Sequence, residues 1–364
     1  KFSSLVDEAK GICLGTERTA QMTSNQQGLE TDSRKDAREI EMTGSNLELR
    51  KFQPSEYERF AEIRDSIFPD YSLSAQELKS FDDNLDKSKY YLQRFSCFSK
   101  VTGEIVALGE LGHMPWMFNP RKFQGRILVD PNHQNRGVGQ FIYDDLMKQL
   151  ANLEAVEVWS FAREDMAHSL SFMTKRGFEE RFRTWESRLN PAAVDMSHFS
   201  HYSEKASKAG VEITSLAREL EADPDCHKKL YELNQELMSD VPMPEPYTPI
   251  SYEQWLSFDM KDPGLVPEAY AIAKDRSTYI GPSTIRRLHK EPRGLFQALT
   301  GVRKYRGKGI AFAMKLKVIE YAQKNGFERI KTENATTNVP MLGINTKLGF
   351  KREVGWIAFS KRLQ

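Results

Sequence analysis

Two short stretches combine arginine with closely spaced glycines, a combination suited to binding an anion. They are Arg136-Gly137-Val138-Gly139 and Arg306-Gly307-Lys308-Gly309. Each follows an apolar strand-like run and precedes an amphipathic helix. A helix start has unpaired N–H groups and a partial positive charge, and glycine lets the backbone approach a bulky group. The pattern therefore predicts a phosphate-binding turn in each copy, the alternative being an ordinary tight turn that uses glycine.

Two familiar phosphate-binding motifs do not describe these turns. The motif Gly-x-x-x-x-Gly-Lys-Ser/Thr is absent, because Ile310 and Ala311 follow Lys308-Gly309. The motif Gly-x-Gly-x-x-Gly is absent as well, because Phe312 stands where its third glycine would be. A phosphate site in these turns would therefore be of a different kind.

The elements around the two turns recur in the same order, which indicates a tandem repeat. A short strand follows each helix, at 155–162 and 329–333, and a second helix ends in Lys-x-Gly-Phe before a closing strand. The spacing from Arg136 to Gly177 nearly equals that from Arg306 to Gly349. Alternating helices and strands predict an α/β (α+β) fold, with a last strand closing each copy.

Composition shifts divide the chain into four segments. Residues 1–46 are polar and weakly patterned, and we expect a leader or expression-derived extension, mostly disordered, or a native tail with a short helix. The predicted domains are 47–190, which we call the first repeat, and 211–364, the second repeat, joined by a polar linking helix within 191–210.

Net charge, the length of apolar runs and the spacing of cysteines and histidines limit which kinds of partner the chain can bind. Net charge is +1, which gives no broad attraction to nucleic acid. No apolar run has the roughly 20 residues of a membrane helix. Three scattered cysteines argue against a disulfide framework and fit a cytoplasmic protein. The cysteines and histidines show no metal-ligand spacing, so we expect no metal, no nucleic acid and no membrane partner.

With these turns and this repeat, the chain resembles the GNAT superfamily of acyl-CoA-dependent N-acyltransferases. The family signature is Arg/Gln-x-x-Gly-x-Gly/Ala. The run from Arg306 to Ala311 matches it fully, and the run from Gln134 to Gly139 also matches, after a Val-x-Pro lead-in at Val129. The resemblance covers about 47–364, as in tandem members such as mycothiol synthase. It implies two GNAT-like domains, each with a mixed, mostly antiparallel sheet flanked by helices.

The resemblance also implies where acetyl-CoA binds. Loop amides would hold the pyrophosphate, and the pantetheine arm would lie between two diverging strands, with an oxyanion-binding N–H near Thr300–Val302. The implied CoA-binding residues of the second repeat are Thr300, Gly301, Val302, Arg303, Arg306, Gly307, Lys308, Gly309, Ile310, Ala311, Asn334 and Asn338. Those of the first repeat are Val129, Gln134, Arg136, Gly137, Val138 and Gly139.

The second repeat keeps more of the family pattern. Asn338 stands where the family often has a pantetheine-contacting asparagine, and it is equally a good helix N-cap. The first repeat has Met166 there, and aligning the Arg-Gly-x-Gly runs places Phe141 against Ala311, a position that the family keeps small. We therefore expect the first repeat either to bind CoA weakly or only to support the fold.

The catalytic groups are less clearly marked. The family's tyrosine acid is replaced by Asn345, and by Met173 in the first repeat, which leaves a water, another side chain or no acid. Asn345 is a candidate for contacting CoA, or a buried helix asparagine. Glu333 is the candidate base, or a solvated strand-end carboxylate.

The loop 239–252 offers Asp240 and Glu245 to attract an ammonium group, with Tyr247 as a wall. The alternative is a rigid connection with surface carboxylates.

The predicted function is N-acetyl transfer from acetyl-CoA to the primary amine of a small molecule, by direct attack, in the second repeat. Two alternatives stay open: a CoA-binding module without turnover, and a protein or peptide N-acetyltransferase. The sequence gives neither the amine nor the oligomeric state.

Overall fold

A computed structural model describes residues 46–288 and 291–363. The predicted N-terminal extension, 1–46, lies outside these residues except for Asn46. The mixed α/β architecture predicted from the alternating elements is confirmed, since a mostly antiparallel sheet is flanked by helices.

The strands fall close to the apolar runs of the sequence. In the first repeat they are β1 Leu47–Lys51, β2 Leu92–Ser99, β3 Ile105–Gly112, β4 Lys122–Val129, β5 Glu157–Arg163 and β6 Glu179–Leu189. In the second repeat they are β7 Val211–Ser215, β8 Ala271–Asp275, β9 Thr278–Arg287, β10 Gly294–Thr300, β11 Arg329–Ala335 and β12 Lys351–Arg362.

The helices occupy corresponding places in the two repeats. Those of the first repeat are α1 Tyr57–Ile67, α2 Ala75–Asn84, α3 Val138–Asn152 and α4 Ala167–Thr174. The linking helix is α5, Ser200–Lys208. Those of the second repeat are α6 Leu216–Ala222, α7 Cys226–Met238, α8 Tyr252–Trp255, α9 Ile310–Lys324 and α10 Val339–Leu348.

The two repeats exchange their last strands. Within the described residues, one twelve-stranded sheet runs in the order β1-β2-β3-β4-β5-β12-β6-β11-β10-β9-β8-β7. Strand β12 pairs with β5 of the first repeat, and β6 pairs with β11 of the second. The prediction that each copy is closed by its own last strand is therefore wrong. Local patterning fixes where a strand forms but does not specify which edge it joins.

Burial of apolar side chains fixes the exchanged strands in place. From β12, Ile357 and Phe359 enter the core of the first repeat, while Ala358 belongs to the core of the second. Trp356 packs with Phe68 and Tyr71 beneath helix α1. Because apolar burial contributes roughly 25 cal/mol per Å², these contacts bind the repeats into one unit.

Candidate active site

Strands β10 and β11 separate at the centre of the second repeat. They pair in parallel only from Gly294–Gln297 and Arg329–Thr332. Beyond Gln297 the register between β10 and β9 shifts, a β-bulge that ends at Thr300. The backbone groups of Ala298–Thr300 and Glu333–Ala335 therefore border a V-shaped opening between two neighbouring strands.

The predicted glycine turn lies at the end of β10. Gly307 and Gly309 have φ values of +78° and +79°, which favour glycine. Gly309 is the N-cap of α9, and the first backbone bond there runs from Ala313 N–H to Gly309 O, at 3.0 Å. A Cβ on Gly307 would meet nothing within 4 Å, so that glycine faces open space, whereas a Cβ on Gly309 would lie 2.9 Å from the Tyr202 ring of α5. The turn thus presents the unpaired amides of a helix start, as predicted.

Several cations surround the turn. Arg306 donates to Asp240 Oδ2 at 2.7 Å, and Arg303 lies 3.3 Å from the same carboxylate. Lys205, on the linking helix α5, donates to the Gly307 carbonyl at 3.5 Å. These exposed ion pairs contribute little stability, so Asp240 holds the two arginines only weakly at the turn.

A cavity of about 190 Å³ passes through the strand opening. Its wall comes from both repeats, because Thr184 and Phe182 lie on β6 and Trp356 lies on β12. The remaining lining residues are Trp116, Met117, Phe161, Met238, Val241, Pro242, Met243, Pro244, Phe296, Ala298, Leu299, Thr300, Lys315, Thr332, Glu333, Asn334, Ala335, Asn338, Met341 and Ala358. The strand exchange is thus what completes the wall.

Glu333 lies in this wall, on β11. Thr184 Oγ1 donates a hydrogen bond of 2.5 Å to Glu333 Oε1. The threonine comes from the first repeat, so sequence proximity gives no indication of the pair. A carboxylate oriented by a hydroxyl and bordering a cavity can hold a cation or accept a proton.

The three predicted asparagines are in contact with one another or with the cavity. Asn334 and Asn338 line it, and Asn338 also caps α10 through its bond with Met341 N–H. Asn345 is buried and donates to Asn334 Oδ1 at 2.7 Å. Asn345 therefore orients Asn334, and it is not among the residues that line the cavity.

Lys315 is a site residue that the motifs did not reveal. It is 1% exposed on α9, lines the cavity and donates to Gln297 Oε1 at 2.6 Å. Gln297 donates to Ser283, whose hydroxyl bonds Thr300 Oγ1 at 2.8 Å. Burial lowers the pKa of the Lys315 amine to about 7. The helical stripe of Phe312, Ile319 and Ala322 on which it lies was the available signal.

The predicted substrate-attracting residues lie outside the residues that line the cavity. Asp240 pairs with the arginines of the glycine turn, and Glu245 accepts from Lys122 Nζ at 2.6 Å. Tyr247 donates to Gln235 Oε1 at 2.7 Å, and burial raises the pKa of its phenol to about 12. Between Asp240 and Glu245, residues 241–244 do line the cavity, and all four are apolar.

The segment Thr300–Val302, implied by the resemblance to bind the oxyanion, makes contacts with the neighbouring strand β9. Gly301 N–H donates to Pro282 O at 3.3 Å, and Val302 is buried. The Thr300 side chain lines the cavity while bonding Ser283.

The first repeat has its own glycine turn, offset from the alignment that the sequence suggested. Gly137 is the N-cap of α3, with φ +82°, and so corresponds to Gly309. Gly139, not Phe141, is therefore the counterpart of Ala311, and the predicted steric difference at this position is wrong. The matching of Arg-Gly-x-Gly runs had shifted the alignment by two residues.

Other features distinguish the opening between β4 and β5 of the first repeat from the opening between β10 and β11 of the second. The equivalent helix N-caps Gly137 and Gly309 make Phe161 the counterpart of Glu333 and Ser160 that of Thr332. Ser160 Oγ donates across the opening to Gly125 O at 3.0 Å. Met166 and Met173, which take the places of Asn338 and Asn345, are buried in apolar cores. The first repeat thus lacks the carboxylate and the polar wall of the second.

The remaining predicted residues of the first turn keep local roles. Gln134 Nε2 donates to Val129 O at 2.9 Å, which closes the turn, while Val138 and Gly139 are buried at the start of α3. Arg136 is half-buried.

Comparison with known families agrees with this architecture. A model described as "Acetyltransferase (GNAT) domain" matches residues 216–351, and "Acetyltransferase (GNAT) family" matches residues 57–178. The chain belongs to the GNAT superfamily and carries two of its domains in tandem. It is an acyl-CoA-dependent N-acyltransferase by class. Nothing in these matches singles out the mycothiol synthase type, which stays a prediction.

Solved structures show the same fold at low sequence identity. A tandem GNAT protein from the clavulanic acid biosynthesis pathway is 14% identical, with a TM-score of 0.64, over 87% of this chain and 98% of that one. A GCN5-related N-acetyltransferase from Sphaerobacter thermophilus is 17% identical, with a TM-score of 0.60, over 87% and 96%. No curated protein matches the chain. No helix of the described residues is long and apolar enough to cross a membrane.

Proposed function

We propose that this protein transfers an acetyl group from acetyl-CoA to the primary amine of a small molecule, in the second repeat. The observation that carries the proposal is the opening between β10 and β11. It joins a glycine turn at a helix start to a cavity bordered by Glu333. The first repeat, with Ser160 bonded across its opening, has a supporting role.

The residues of the second repeat fit acyl-CoA. The amides from Gly307 to Ala311, with Arg303 and Arg306, would hold the pyrophosphate, since Gly307 faces open space and the helix start is unpaired. The unpaired backbone edges beyond Gln297 and Thr332 would accept the amide-bearing pantetheine arm. Asn338 and Asn334 add polar contacts in the cavity wall.

The chemistry requires deprotonation of the acceptor. Bound acyl-CoA supplies a thioester, whose carbonyl carbon bonds to the amine nitrogen as its C–S bond breaks. Glu333 would hold the ammonium group and accept one of its protons, which then passes to solvent. Thr184 fixes the orientation of the carboxylate. The second proton leaves with the CoA thiol, which departs without a tyrosine acid.

Product formation and binding location together test the proposal. Acetyl-CoA and a panel of primary amines should give CoA thiol and N-acetyl product in equal amounts, measured by thiol titration and mass spectrometry. Hydrogen exchange with acetyl-CoA present should slow in residues 300–312 more than in residues 129–140. Protection confined to 129–140 would place the site in the first repeat, and acetylation of peptides alone would replace the small-molecule acceptor.

A further inference from the structure

The cavity has two chemically different sides, separated by β11. Side chains alternate along a strand, so Thr332 and Asn334 share one face and Glu333 and Ala335 the other. The Thr332 face meets α10, because Asn334 accepts a hydrogen bond from Asn345. On the Glu333 face, the neighbouring strand β6 contributes Thr184, which is paired in register with Ala335. An acceptor whose ammonium group binds Glu333 must therefore lie on the second side, which we call the acceptor side.

Aromatic rings from both repeats form the acceptor side. Register places Ala358 of β12 directly between Phe161 of β5 and Phe182 of β6. Both rings are only half-buried, so each presents part of its surface to the cavity. The small alanine between them leaves a recess, and Trp116 and Trp356 border the same cavity.

The polar groups on this side are few. Among the described lining residues, those on the acceptor side that carry polar side chains other than the two indoles are Thr184 and Glu333, which bond each other. The loop above, 241–244, contributes only Val, Pro and Met. The acids flanking that loop, Asp240 and Glu245, pair with Arg306 and Lys122 instead.

From this arrangement we infer that the acceptor is a primary amine carried on an aromatic or branched apolar body, such as an arylalkylamine. This inference rests on the proposed function. One carboxylate matches one ammonium group, and aromatic walls match an apolar body. A sugar would leave several buried hydroxyl groups without partners, and a polyamine would leave a second ammonium group without a carboxylate, each a large penalty.

Acceptor kinetics with acetyl-CoA test the inference. The panel is 2-phenylethylamine, 3-methylbutylamine, ethylamine, 1,4-diaminobutane, glucosamine and a short peptide with a free N-terminus. We expect kcat/KM for 2-phenylethylamine to exceed that for diaminobutane and glucosamine about 10- to 100-fold, the range that burial of one aromatic group supplies.

Two variants test whether the preference for 2-phenylethylamine arises from the acceptor side. Phe182→Ala should lower kcat/KM for 2-phenylethylamine about tenfold and leave that for ethylamine nearly unchanged, because ethylamine is too short to reach the ring. Ala358→Phe should fill the recess and remove the preference for the larger amines. Phe98→Ala removes a half-buried ring on β2, outside the lining residues of the cavity, and serves as the matched control.

The outcomes separate this inference from the proposed function. Faster turnover of glucosamine, diaminobutane or the peptide overturns the inference while acetyl transfer stands. Equal losses for 2-phenylethylamine and ethylamine in Phe182→Ala also overturn it, since a general disturbance moves both. No product from any amine, despite binding of acetyl-CoA, overturns the proposed function and the inference with it.

Discussion

Glu333 is the residue on which the proposed reaction most depends. Replacing its carboxylate by an amide in Glu333→Gln removes the proton acceptor and the negative charge while keeping the bond from Thr184. We expect kcat/KM for the amine to fall about 10²- to 10⁴-fold, the usual contribution of a general base. The Kd of acetyl-CoA, measured by calorimetry, should change little.

A matched variant distinguishes Glu333 from the carboxylates of the loop. Glu245→Gln changes a carboxylate outside the lining residues of the cavity, one of the two that pair with Lys122, the other being Glu157. Its kcat/KM should stay within a few-fold of the wild-type value. The reverse order of effects would assign the proton acceptor to the loop.

Lys315 makes stability depend on pH in a predictable direction. Its folded pKa of about 7 lies below the unfolded value of 10.5, so the unfolded chain binds the extra proton between these two pH values. The free energy of unfolding therefore rises with pH across this window, by up to about 1.4 kcal/mol per pH unit, and is insensitive to this group below pH 7.

The variant Lys315→Met isolates that dependence. Urea unfolding at pH 7, 8 and 9 gives the free energy of unfolding of each protein, and other titrating groups cancel in the difference. The wild-type value minus the variant value should increase with pH. Parallel curves would mean that the Lys315 amine keeps its ordinary pKa in the folded protein.

At the residue scale, motifs identified single positions but not pairs. Glu333 could be proposed because it stands on a strand beside the signature turn. Thr184 could not be paired with it, since the contact depends on β6 crossing to the second repeat. Lys315 could be found only from its place on the buried stripe of α9.

Among the elements, the two glycine turns each carry an arginine that can be tested, although the counterpart of Arg306 is Gln134 and Arg136 stands in the place of Lys308. In the second repeat Arg306 lies at the turn that adjoins the cavity. Replacing it by glutamate would place a carboxylate beside the pyrophosphate of acetyl-CoA, and the two negative charges would repel. Arg306→Glu should weaken acetyl-CoA binding by about 10- to 100-fold or more, because one charged hydrogen bond contributes about 1.5–3 kcal/mol. Arg136→Glu, at the turn of the first repeat, should leave the Kd nearly unchanged.

Calorimetric Kd values and circular dichroism of both variants provide the measurement. A folded Arg136→Glu protein that has lost acetyl-CoA, beside an Arg306→Glu protein that has kept it, would assign binding to the first repeat. Equal, unchanged affinities would show that neither turn holds the pyrophosphate.

The position of most elements followed from the sequence. The residue-by-residue equivalence between the two repeats did not. The apolar runs at 125–129 and 295–302 fall on β4 and β10, since alternation and flanking glycines are local signals. The Arg-Gly-x-Gly match, however, ignored which glycine begins the helix. Backbone φ values identify Gly137 and Gly309 as equivalent N-caps, and each then lies equally far from Gly177 and Gly349.

For the whole molecule, the strand exchange was beyond what the sequence could predict. Strands β6 and β12 have similar patterns, and each could have closed its own repeat by the same local rules. The chosen pairing is instead set by long-range burial, such as Trp356 against Phe68 and Tyr71. It also explains why the cavity of the second repeat has walls from the first.

The exchange predicts that the two repeats unfold together. Separating them would break the pairing of β5 with β12 and of β6 with β11 and expose Ile357 and Phe359. A repeat that lost its neighbour would therefore keep two unpaired sheet edges and an open core. We expect one calorimetric transition whose van't Hoff enthalpy equals the calorimetric enthalpy.

Ligand binding should report the same coupling. Acetyl-CoA at 100 times its Kd adds about 2.7 kcal/mol to the free energy of unfolding. Amides that exchange only through global unfolding should gain this protection in β3 of the first repeat as well as in β9 of the second. Hydrogen-exchange mass spectrometry of residues 105–112 and 278–287 measures both. Protection confined to 278–287, or two calorimetric transitions, would show that the first repeat unfolds independently despite the shared sheet.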